Sequence, residues 1–212
     1  MNKKLIFLAI LFLIIGGLFY FLFIWEIPEE QETSQGPTLF AKEDYKIDER
    51  EDGKYIVVEK VGLTCKVPEN WDIKIEGDDI PEPEYWVNLL SPDAEFKDIL
   101  IKGCGISIMT GISIEDTKET INNIKDLQEN PDMKPEEISY TYQGYRLNVI
   151  DVDNHQALLW IAPKHDIIGQ IIGINIPINS EELINFDTLF PLGYKEKCSP
   201  IWEEFIKNII IE

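Results

Sequence analysis

The sequence predicts an α+β domain, an antiparallel sheet covered by helices, behind an N-terminal transmembrane helix. Three observations carry that expectation. An apolar run from Leu5 to Trp25 contains no charge. Beyond Tyr55, short apolar segments alternate in parity or run continuously, as strands do. Between and after them lie stretches with helical spacing and helix-start signals.

The run LIFLAILFLIIGGLFYFLFIW, as a helix, would extend about 31 Å, close to the roughly 30 Å of a bilayer's hydrocarbon core. Tyr20 and Trp25 fall near its distal end, where amphipathic rings favour the interface. Lys3 and Lys4 precede it, whereas Glu26, Glu29, Glu30 and Glu32 follow and no further basic residue occurs before Lys42. The positive-inside rule then makes residues 1–4 a cytoplasmic tail and residues 5–25 an uncleaved single-pass signal-anchor in the cell membrane. The C-terminal part becomes extracytoplasmic. The run is longer than the apolar core of a cleaved signal peptide, and no small-x-small site follows it. Residues 26–53, broken by Pro28, Gly36 and Pro37 and rich in carboxylates, read as an acidic tether.

Residues 54–212 read as the displayed domain. KYIVVEKVGLTCKVP sets Val61, Leu63, Cys65 and Val67 on one parity. NWDIKIE, YWVNLL and ILIKGCGISIMT continue the strand series. Ser113 with Asp116 resembles a capping box for a helix ended by Asn130-Pro131. A turn near Gln143-Gly144 divides two further strands, and the apolar runs ALLWIAP and IIGQIIGINIP read as central strands. Ser180 opens a brief helix to about Leu189. Ser199, with Pro200 at the first helical position, opens a terminal helix through IWEEFIKNIII.

Charge narrows the partners. With 19 Lys+Arg against 39 Asp+Glu the net charge is -20, which repels phosphate backbones and excludes nucleic acid.

Val67-Pro68-Glu69-Asn70-Trp71, Ser91-Pro92-Asp93 and Phe205-Ile206-Lys207-Asn208-Ile209 stand at strand ends and in the closing segment. On these short motifs, the chain from about residue 54 to 212 resembles the PsbP-like family. The resemblance implies an α-β-α sandwich and a role as a binding or assembly module, without a catalytic set to transfer. The anchor and the three cysteines depart from the plant members.

Cys65, Cys104 and Cys198 allow one bridge among three pairings. Cys104, between two glycines, could reach the loop holding Cys198 and close a loop of about 95 residues; three unpaired thiols are the alternative. His155 and His165, with Asp151, Asp153 and Asp166, lack the spacing of a calcium loop and read as turn residues. Asp78, Asp79, Glu82 and Glu84, on a proline-broken loop, together with Trp86, form a candidate interaction surface for a protein partner in the cell envelope. No cofactor, metal or catalytic residue is expected. The expected function is a non-catalytic, membrane-tethered binding or assembly module, and the alternative is a cell-envelope hydrolase using carboxylates.

Overall fold

The computed structural model describes residues 40–77, 85–110, 115–129, 140–142, 144–166, 168–179 and 182–212. All of them belong to one compact unit, residues 37–212. The apolar run 5–25, assigned to a membrane anchor, lies outside the described residues. So do Asp78, Asp79, Glu82 and Glu84. Among the described residues no helix is long and apolar enough to cross a membrane.

The architecture is mostly antiparallel β-sheet and corrects the expected α-β-α sandwich. A four-stranded sheet consists of β1 (Lys46–Arg50), β2 (Gly53–Val58), β3 (Leu63–Lys66) and β14 (Ile209–Ile211), in that order. The larger sheet has eight strands. They are β4 (Asp72–Gly77), β5 (Tyr85–Leu90), β8 (Gly105–Thr110), β13 (Leu183–Phe190), β12 (Gln170–Pro177), β11 (His155–Ile161), β10 (Tyr145–Val152) and β9 (Tyr140–Tyr142), again in spatial order. A hairpin of β6 (Glu95–Lys97) and β7 (Ile99–Lys102) stands apart. Two α-helices occur among the described residues, α1 (Glu115–Glu129) and α2 (Lys195–Lys207).

Two misread segments account for most of the correction. Residues 183–190, expected to be helical after Ser180, form β13, the strand between β8 and β12. Its Ile184, Phe186, Thr188 and Phe190 are all buried on one parity, the period of a strand and not of a helix. The terminal helix begins at Lys195, ahead of the expected Ser199 cap, so Pro200 lies inside it. It stops at Lys207, and the β-branched run Ile209–Ile211 adds a strand to the small sheet instead of extending the helix. Residues 46–50, assigned to the tether, likewise pair with β2.

The main core lies between the two sheets. Val87, Leu89, Ile106, Ile108, Ile174, Ile184 and Phe186 from the large sheet meet Ile56, Leu63, Cys65, Ile209 and Ile211 from the small one. Trp202 and Phe205 of α2 complete it, with Phe205 edge-on to Phe186 at 5.7 Å. Cys65 is fully buried and burial pushes its thiol up to about 12, which leaves it unreactive. Cys104 and Cys198 are joined in a disulfide that ties the start of β8 to α2.

One side chain couples the sheets directly. The β10–β11 turn places Asp153 and Asn154 at positive φ, as a two-residue hairpin requires. The Ile211 backbone N–H donates to Asp153 Oδ2 at 2.7 Å. In Asp153→Ala that N–H loses its acceptor, and a loss of about 1–2 kcal/mol is expected in denaturant titration.

Candidate functional site

One face of the eight-stranded sheet is spent on the core; among the described residues the other is covered only in part. Ile121 and Ile124 of α1 pack on Leu158, Leu147 and Val149, over β10 and β11. At the opposite side, Leu100 of the β6–β7 hairpin is buried close to Gly105 and Leu90. Two cross-strand rows run over this face, the second ending beneath α1 at Leu158.

Strand registers define the rows residue by residue. The first runs Lys74, Asn88, Ser107, Asp187, Gly173, Trp160. The second runs Glu76, Trp86, Met109, Asn185, Asn175, Leu158. Polar side chains in the interior of a sheet must be bonded, and those of Asn88, Ser107, Asn175 and Asn185 are. Asn88 donates to Glu76 Oε2 at 2.6 Å and accepts from the Ser107 hydroxyl at 2.8 Å. Asn175 Oδ1 accepts from the Asn185 amide at 2.6 Å and from the Trp160 indole N–H at 3.1 Å. Asn185 is only 7% exposed, whereas Asn88, Ser107, Met109, Asn175 and Asp187 are half-buried.

Gly173 explains the attitude of Trp160. A Cβ built at Gly173 would stand 2.1 Å from the indole Cζ2 and 2.3 Å from Cε2. The ring therefore lies over the glycine backbone, where any other residue would project. Tyr145, 38% exposed, meets the indole edge-on at 6.2 Å.

Asp187 is the exceptional member. It stands between Ser107 and Gly173 in register, and among the described residues no Lys, Arg or His forms an ion pair with it. Burial pushes its carboxyl up to about 6. The folded state therefore holds a proton that the unfolded chain releases near pH 4. The contribution of Asp187 to stability is greatest below that point, falls as pH rises from about 4 to 6, and is level above. Asp187→Asn removes that slope. At pH 7.5 it is expected to raise stability by about 1–2 kcal/mol after allowance for partial solvation, read from urea midpoints across pH 4–8.

The sequence-predicted positions fall as follows. Trp86 lies on this same face, paired with Glu76 and Met109. Cys104 and Cys198 are bonded to each other on the core side. His155 and His165 flank β11, a strand that spans about 20 Å, and do not converge. His155 Nδ1 is instead 3.0 Å from the Asp153 carbonyl. Sequence reading missed Asp187, Asn175, Asn185 and Trp160 as a group. The available signal was a carboxylate and two amides inside strands otherwise rich in isoleucine, leucine and phenylalanine.

A second concavity flanks the Val67-Pro68-Glu69 step. A cleft of about 480 Å³ is bounded by Lys66, Pro68, Pro200, Ile201, Glu204 and Asn208. A smaller one of about 370 Å³ lies on its other side against Asp52, Lys54 and Trp71. Its polar rim is largely self-satisfied: Lys66 pairs with Asp52 at 2.8 Å, and Asn208 bonds Glu204. The sheet face, with its carboxyl outside any ion pair, is the stronger candidate. No protein-family model matches the sequence, and no curated protein matches it.

Proposed function

We propose that the chain is a membrane-tethered extracytoplasmic binding module that engages a partner through the face of its eight-stranded sheet opposite the main core. The observation that carries this reading is Asp187. A half-buried carboxyl outside any ion pair reduces stability, and a sheet interior would be more stable with a neutral residue in its place. Retention of such a group on an accessible face, beside an oriented indole and bonded amides, is what a binding site requires and what folding does not. Placement outside the cytoplasm rests on the charge asymmetry around residues 5–25.

Asp187 also motivates the second reading, a carboxylate hydrolase. Glycoside hydrolysis by a carboxylate pair needs separations of roughly 5–10 Å. Glu76 on β4 and Asp187 on β13 are three strand spacings apart, about 14 Å, which favours binding over that chemistry.

The test places a photo-crosslinking amino acid at Ser107 or Met109 in the full chain in intact membranes, with Lys54 as control. Adducts confined to the face positions are the expected result. Equal labelling at Lys54, or none at the face, overturns the reading.

A further inference from the structure

We infer that the sheet face recognises a basic side chain, the ammonium or guanidinium of a partner protein, held between the Asp187 carboxylate and the aromatic pair formed by Trp160 and Tyr145. The inference rests on the binding reading above and gives that site its chemistry.

Geometry is the first support. Trp160 lies over Gly173, the residue paired with Asp187 across β12 and β13, so the indole and the carboxyl occupy neighbouring places in one row. Indole is the side chain that best attracts a cation over its face, and a carboxylate beside it supplies the opposite charge. Asn175 fixes the indole through its N–H and is itself held by Asn185, whose amide oxygen is left for the donors of a guanidinium or ammonium.

Charge is the second. The strands on either side of β13 set Gly105, Ser107 and Met109, and Ile171, Gly173 and Asn175, beside Asp187, and none of these titrates. The charged residues of the same face on β4, Lys74 and Glu76, are three strands away. On α1, Lys118 and Lys125 bond the Asn179 carbonyl and Gln156, and Glu119 and Asp126 are exposed. Among the described residues the carboxyl thus lacks a cation of its own, in a protein of net charge -20 whose field draws cations inward. A basic side chain supplies the missing charge; an anion or an apolar group leaves it buried and uncompensated.

Because bound cation favours the ionised carboxyl, affinity should rise as pH passes upward through about 6 and level off above 7. Glu76 shares that face but is held by Asn88.

The experiment uses ¹⁵N-labelled full-length protein in neutral-detergent micelles, titrated with N-acetyl-arginine methylamide, N-acetyl-lysine methylamide, N-acetyl-norleucine methylamide and butylamine. The expected result is movement of the Trp160 indole N–H and the Gly173 and Asp187 amides with the arginine and lysine probes, up to about tenfold weaker at pH 5 than at pH 7.5. Norleucine should leave them still, and Asp187→Asn, which stays folded, should lose the response and its pH dependence. Equal movement with norleucine overturns the inference while leaving a binding face. No movement with any probe, where face-specific crosslinks form, also overturns it and spares the reading beneath it. Butylamine binding as tightly as the amide probes would make the site one for free amines and overturn the protein partner. Loss of the crosslinks themselves removes the binding reading.

Discussion

Replacing Cys104 and Cys198 together by alanine, or reducing the bridge, is expected to lower the unfolding free energy by about 3–4 kcal/mol. The magnitude follows from the loop. The bridge spans a sequence separation of 94, so an unfolded chain without it regains the entropy of a very long closed loop. Native contacts suffer less, since both cysteines sit in the main core beside residues that remain packed. Chemical denaturation with and without reductant measures the difference. The effect should appear mainly as faster refolding of the bridged form, because the constraint acts on the unfolded ensemble. A double-alanine variant within 1 kcal/mol of the wild type would show that α2 and β8 stay associated even in the denatured state.

The second large effect is expected at Gly173. An alanine there places a methyl about 2 Å from the Trp160 ring, far inside contact distance, so the ring must leave its place. Leaving breaks the indole bond to Asn175, which still accepts from Asn185. Overpacking of this kind costs about 1–3 kcal/mol, and loss of the bond adds to it. Gly173→Ala should therefore destabilise by about 3 kcal/mol and shift the Trp160 indole resonance. In a Trp160→Ala background the same change should cost under 1 kcal/mol, since nothing then occupies the space. Additive losses in the double-mutant cycle would refute the assignment of the cost to the ring.

What could be read from sequence was the strand content, and what could not was the pairing. The alternation of Leu63, Cys65 and Val67 and the two runs that became β11 and β12 are local, period-two signals. The helix ended by Asn130-Pro131 likewise announced itself through spacing and breakers. β13 was harder, because Ser180-Glu181-Glu182 imitates a helix start and Asn185 and Asp187 interrupt the apolar alternation. Those same two residues belong to the candidate site. A site assembled from one residue on each of several strands has no sequence spacing to detect, since the register that aligns Ser107 with Asp187 and Gly173 with Trp160 arises only from sheet topology. Trp86 was singled out for its place beside an acidic loop, yet what locates it is its pairing with Met109. The sandwich expectation failed for a related reason: motifs such as Ser91-Pro92-Asp93 mark the ends of strands and say nothing of what covers them.

The placement of β14 has a consequence for how the molecule is made. The small sheet gains this strand only when residues 209–211 pair with β3, and the Glu212 N–H then donates to the Gly62 carbonyl at 3.1 Å. Ile209 and Ile211 supply part of the layer that buries Cys65 and Leu63. A chain emerging from its N-terminal end, whether from a ribosome or through a translocation pore, therefore has β1, β2 and β3 in hand long before it can seal them. Until the final strand arrives, an edge of β3 and one side of the core stay open to water and to chaperones. Closure of the small sheet therefore rests on pairing between β3 and a strand distant from it in sequence.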